Sequence, residues 1–183
     1  QAGLSGSDGI ALNDPQIISW ATNCTIERGW MDIADTSLGK VTHGDVTMAI
    51  GAPTISTNAL SLGDGGSAIL SFAHPIKNGA GNDFVVFENG FRSPLDSNLA
   101  FLELAFVEVS TDGINYVRFP STYANPDTNQ CETFATLDAR HIDNLAGKHV
   151  WGYGTGFDLS QLANVNNLDI NNINFVKLID IIG

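Results

Sequence analysis

Two stretches of this chain set carboxylates among large apolar side chains. They are Asn82-Asp83-Phe84-Val85-Val86-Phe87-Glu88-Asn89-Gly90-Phe91 and Phe101-Leu102-Glu103-Leu104-Ala105-Phe106-Val107-Glu108-Val109-Ser110-Thr111-Asp112-Gly113. Asp180 repeats the pattern within Phe175-Val176-Lys177-Leu178-Ile179-Asp180-Ile181-Ile182. A carboxylate on a core-facing position needs a cation, hydrogen-bond donors or water, because an unpaired buried charge is expensive. Basic partners are scarce, with 8 Lys+Arg against 20 Asp+Glu. The chemistry this favours is binding of a hard cation by oxygen. Calcium takes about six to eight oxygen ligands, backbone and Asn carbonyls included. Asp83, Glu88, Glu103, Glu108 and Asp180 are therefore the candidate metal ligands, with Asn82 and Asn89 as further oxygen donors. The competing expectation is ion pairing with Arg92, Arg118 or Lys177, and Arg118 is well placed, just past the turn that follows Glu108.

Catalytic patterns are weaker. Paired carboxylates can hydrolyse glycosides, but nothing in the sequence fixes their separation. No His-Glu-x-x-His, Gly-x-Ser-x-Gly or clustered Cys/His motif is present. His43, His74, His141 and His149 are scattered. His141 and His149 as a transition-metal pair is a less economical reading than loop histidines hydrogen-bonded or in water. Asp8 with Asn13 and Asp14, and Asp64 in Gly-Asp-Gly-Gly, read as turn chemistry. The expectation is a protein that is not an enzyme. A second kind of site is aromatic: Trp20, Trp30, Trp151 and Tyr153 offer flat faces for a sugar or another planar ligand. Trp151 and Tyr153 lie in the Gly-rich segment 147–159 and are the candidate ligand-binding pair. Tryptophan packed in the core is the alternative.

The elements that must position these groups are strands. Side chains alternate across a strand. Phe84, Val86 and Glu88 then share one face, and Asp83, Val85 and Phe87 the other. Glu103 goes with Ala105, Val107 and Val109; Glu108 goes with Leu104, Phe106 and Ser110; Asp180 goes with Val176, Leu178 and Ile182. Further strands are expected at Ile17–Ala21, Val46–Ile50, Ser67–Phe72, Tyr116–Phe119 and Lys148–Trp151. Asp112-Gly113 suits a type I′ hairpin turn. Residues 120–147 read as polar and irregular, and Leu159–Ala163 as one helical turn. No long amphipathic helix, linker or repeat is visible. The expected fold is all-β, a jelly-roll-like β-sandwich with long Gly/Asn-rich loops and little helix, forming a single domain over residues 1–183.

Composition narrows the class. The net charge of −12 argues against nucleic acid and anionic membrane as partners. No apolar run is long enough for a membrane-spanning helix. A chain that begins at Gln1 suggests a processed, exported form. In that setting Cys24 and Cys131 are expected to form a disulfide, worth about 4–5 kcal/mol in the chain-entropy model; two separate buried thiols are the alternative. Asn23-Cys24-Thr25 fits the glycosylation pattern.

The segments Ser61–Ser67, Gly81–Phe91, Leu104–Ser110, Leu145–His149, Gly152–Thr155 and Asp180–Gly183 together resemble a family of secreted bacterial cell-surface proteins found in Bacteroidetes and other Gram-negative bacteria. The resemblance runs from about residue 60 to the end. It implies a jelly-roll-like sandwich, export, and binding or assembly outside the cell, and it supplies no catalytic residues. Two features depart from the family: the cysteine pair, and an ending at Gly183 where relatives continue into a further strand. The expected function is a non-catalytic, calcium-stabilised cell-surface binding or adhesion module, secreted to the cell surface. Its expected partners are other surface proteins or copies of itself. A structural subunit of an extracellular filament, lattice or outer-membrane complex and a carbohydrate-binding module taking glycan are the alternatives.

Overall fold

A computed structural model describes residues 7–124 and 135–182 of the chain. Within them the secondary structure is almost entirely antiparallel strand, with four short 3-10 turns and no α-helix. Twelve strands are present: β1 (Ile10–Ala11), β2 (Asn23–Glu27), β3 (Ser67–Ile76), β4 (Phe84–Phe87), β5 (Phe91–Arg92), β6 (Ala100–Phe101), β7 (Ala105–Ser110), β8 (Val117–Arg118), β9 (Thr122–Tyr123), β10 (Ile142–Asp143), β11 (Tyr153–Phe157) and β12 (Ile173–Asp180). The main sheet has the order β2-β3-β12-β7-β8. A smaller sheet has the order β1-β11-β4, and β5-β6 and β9-β10 form two ribbons.

The apolar runs read from the sequence become the central strands. β12 lies between β3 and β7, with Val176 opposite Leu70 and Val109, and Leu178 opposite Ala68 and Val107. The two larger sheets share one core. Val107, Val109, Ile173 and Val176 of the main sheet pack with Phe157 of β11, and Phe84 and Val86 of β4 close against them. Phe84, Phe119 and Phe157 form an aromatic knot, with Phe84 and Phe157 stacked at 5.2 Å between ring centroids. A second core lies beneath segment 137–150, where Leu137, Ala139, Ile142, Leu145 and Val150 bury themselves against Leu102 and Leu104. The stretch that reads as polar and irregular thus supplies half of a core.

Several local expectations are corrected. Ile17–Ala21 is not a strand; the strand is Asn23–Glu27, which lies against β3 with Cys24 facing in. Residues 46–49 form a 3-10 turn capped by Asp45, whose side chain accepts from the Thr47 N–H. Residues 148–151 are turn rather than strand, bounded by Gly147 and Gly152, both with positive φ. The turn after β7 is not type I′, because of its central pair only Gly113 has positive φ. Asp112 shapes it instead, accepting from the Ile114 and Asn115 N–H groups and from Asn115 Nδ2. Those donors hold the Asp112 carboxyl well below the usual carboxylate range. Cys24 is a buried free thiol, raised in pKa by burial, and Cys131, its expected partner, lies outside the described residues.

Glu108 faces away from the shared core, and Arg118 on β8 takes it, with Nε at 2.9 Å and Nη2 at 2.8 Å. The same guanidinium lies 4.2 Å above the Phe106 ring. The Arg118 end of the pair is exposed and screened by water, so Glu108→Gln is expected to lower stability by about 1 kcal/mol or less in urea unfolding.

An acidic end on an apolar cleft

The alternation that places Val176 and Leu178 in the shared core also turns Asp180 inward at the end of β12, opposite Ala105. Glu88 follows Phe84 and Val86 on the inward face of β4, whose partners across the ladder are Phe157 and Thr155. Glu103 precedes β7 in register with the buried Ala105, Val107 and Val109. Three of the five carboxylates singled out in the sequence therefore lie at one end of the sandwich and feel one another's charge, Glu88 and Asp180 carried there by strand parity and Glu103 at the exposed rim.

Local backbone contacts hold the three in place. Asp180 Oδ2 accepts from the Gly65 N–H at 3.1 Å, and the Asp180 N–H donates to the Gly66 carbonyl at 2.9 Å. Gly65 sits at φ +71°, a left-handed conformation that suits glycine. Gly147, at φ +81°, packs directly on the Glu103 backbone, where a Cβ would fall 1.9 Å from the Glu103 carbonyl oxygen. The loop after Glu88 is tied by the Trp151 N–H, which donates to the Gly90 carbonyl at 2.8 Å.

The electrostatics of this end are one-sided. Burial pushes the Glu88 carboxyl up to about 7, the like charges of Glu103 and Asp180 add to that, and the Asn89 N–H opposes it. Burial also raises Asp180 to about 6, helped by Asp64 and Glu103 and opposed by the Gly65 N–H. Glu103, the most exposed of the three, is raised by burial. Among the described residues no Lys, Arg or His forms an ion pair with any of them. The basic side chains act elsewhere. Arg28 donates to the carbonyls of His43, Gly44 and Ser61, Lys148 pairs with Asp8, and Lys177 lies over Tyr116.

This end opens onto a cleft of about 470 Å³. Leu70, Phe72, Val176 and Leu178 of the main sheet form one wall. Every residue from Ala80 to Asn89 lines it, so both faces of β4 take part. Among the described strands β4 pairs with β11 alone, which leaves its other edge unpaired. Segments 16–21 and parts of 48–62 close the far side, bringing Trp20 to 5.7 Å from Phe87. Glu88 and Asn89 both line the cleft, and Asn89 Oδ1 is buried with no hydrogen-bond partner.

The remaining candidates separate from this end. Asp83 is a structural clamp: its Oδ1 accepts from the Gly79 N–H at 2.6 Å and its Oδ2 from the Leu159 N–H at 2.8 Å. Glu108 belongs to Arg118. Trp151 lines the cleft, as does Trp20, whereas Tyr153 sits in β11 opposite Ala11. Trp30 lies apart, bridged to Lys40 and Asp64, with the Lys40 ammonium 5.4 Å from its ring. His141 Nδ1 faces the Ala124 carbonyl, while His149 is buried beside Asp8 and pushed down to about 4, chiefly by burial.

As a metal centre the acidic end is incomplete by itself: among the described residues no three His, Cys, Asp or Glu side chains are arranged to hold a metal ion. As an acidic end beside an apolar cleft it is coherent: Glu88 and Asn89 line the cleft, Glu103 and Asp180 add like charge next to Glu88, and among the described residues none of the three carboxylates has an ion-pair partner. Sequence reasoning named the carboxylates, Asn89 as an oxygen donor and Trp20 as a flat face, but not the apolar wall of Leu70, Phe72, Val176 and Leu178 that faces them. No protein-family model matches this chain, and neither a curated protein nor a solved structure is found to match it.

Proposed function

We propose that this chain is a non-catalytic extracellular binding module that receives its ligand in the cleft between the sheets and a cation at the acidic end. The observation that carries the reading is Glu88, a carboxyl in the wall of an apolar cleft with like charges for neighbours and no cation. Acid–base catalysis by two carboxylates depends on environments that push their pKa values apart, one up and one down. Here Glu88, Glu103 and Asp180 are all pushed up, which favours binding over turnover. The resemblance to exported bacterial surface proteins supports an extracellular setting, and a jelly-roll-like closure of the two sheets belongs to the same reading. Calcium is the inorganic cation that suits the acidic composition, with water and backbone oxygens completing its shell.

Thermal unfolding near neutral pH, with calcium and then with EGTA, tests this. A ligand that binds only the folded state raises its stability by mass action. Calcium is expected to raise the melting temperature of the natural sequence but not of Glu88→Gln. If neither calcium nor an organic cation shifts the melting temperature, and Glu88→Gln leaves stability unchanged, the acidic end is already satisfied and the reading falls.

A further inference from the structure

We propose that the cleft is a site for an apolar ligand bearing a primary ammonium, whose hydrocarbon part lies between the sheets and whose ammonium is held by Glu88 and Asn89. The proposal deepens the binding-module reading and rests on it. Its volume of about 470 Å³ is that of a small-molecule site, and such sites pair apolar walls with a few polar groups that fix orientation. Leu70, Phe72, Leu178 and Phe87 provide the walls, and Trp20 and Trp151 add ring faces.

The polar groups define the head. Among the described residues, Glu88 Oε2 accepts from the Asn89 N–H alone, at 3.1 Å, and Asn89 Oδ1 has no donor. Both are acceptors in want of donors. An ammonium carries three N–H donors, a positive charge and no acceptor; a hydroxyl brings one donor and no charge, and a quaternary amine brings charge but no donor. The groups facing Glu88 strengthen the choice: Glu103 and Asp180 are carboxyls, with Asp64 behind Asp180. A bare metal ion would answer the charge but leave the apolar walls empty.

Calorimetry on the whole chain with 2-phenylethylamine, 2-phenylethanol and phenylacetate tests the proposal, with calcium chloride as a fourth titrant. The amine is expected to bind at least about ten-fold more tightly than the alcohol, a difference of about 1.4 kcal/mol. Phenylacetate is expected not to bind. Glu88→Gln should erase the advantage of the amine while keeping the alcohol, and Asp143→Asn, an equal charge change at the exposed position of β10, should leave it intact. Amine binding should strengthen as pH rises through about 7, where Glu88 becomes charged. Equal binding of amine and alcohol overturns the ammonium assignment and leaves the binding-module reading standing. A response to calcium alone does the same. Binding of none of the four overturns both.

Discussion

Glu88→Gln is expected to stabilise the unliganded protein by about 1–3 kcal/mol at pH 8 and to leave it nearly unchanged at pH 4.5. The sign follows from the shift. The carboxyl moves from 4.5 to about 7 on folding, so the folded state holds its proton more tightly than the unfolded chain does. Its contribution is complete below the unfolded value, is lost as pH rises through the folded one, and the full penalty remains above that. Glutamine keeps the size and removes the charge, so it removes the penalty. Asp180 works in the same direction through about 6, while His149, pushed down to about 4, withdraws stability as pH falls below its ordinary value. The unliganded chain is therefore expected to be most stable on the acid side of neutrality, and a bound cation should flatten that profile above neutral pH. Urea unfolding of both proteins across this range reads the effect directly. A destabilising Glu88→Gln at pH 8 would mean that Glu88 makes a favourable contact as a charged group.

Asp83→Ala is expected to destabilise by about 2–4 kcal/mol, since hydrogen bonds to a charged acceptor contribute about 1.5–3 kcal/mol each and their donors are left unpaired. One bond is local, four residues back to Gly79, and the other reaches Leu159, 76 residues on. One fixes the loop that leads into β4, and the other fixes the first residue of the 3-10 turn Leu159–Leu162, whose Leu159 and Leu162 are buried in the shared core. Losing the clamp loosens the entry of β4 beside the Phe84–Phe157 stack. A fall of about 5–15 °C in melting temperature corresponds to that loss in a domain of this size. Asp83→Asn keeps an acceptor and should fall less.

How far the sequence foretold this arrangement depends on which physical rule governed each residue. Alternation along β4 and β12 assigned Glu88 and Asp180 to the faces that carry Val86 and Val176 into the core, because a two-residue period cannot slip without turning a whole apolar face to water, whereas Glu103, one step before β7, stays exposed. The same parity set Glu108 apart and left it to Arg118. Parity also put Asp83 on the opposite face, but only its backbone partners Gly79 and Leu159 reveal a clamp, and these are distant or local contacts with no pattern of their own. Ile17–Ala21 has strand-forming residues yet lacks a neighbour to pair with, whereas Asn23–Glu27 has a weaker composition and gains its strand from β3. Context of this kind overrides propensity. Leu137, Ile142 and Leu145 were hidden because they reach the second core from short, aperiodic segments. The cleft itself was illegible for a related reason: its walls come from residues 16–21, 48–62 and 80–89, and no local pattern records that they meet.

The central claim is that Glu88 is a withdrawn, uncompensated carboxyl awaiting a cation. Carbon-13 NMR titration of the Glu88 carboxyl in the unliganded protein, repeated with calcium and with 2-phenylethylamine, tests it most directly. The account predicts a midpoint at about 7 without ligand and a lower midpoint once a cation is bound. A midpoint near the ordinary 4.5, unmoved by either cation, would contradict it.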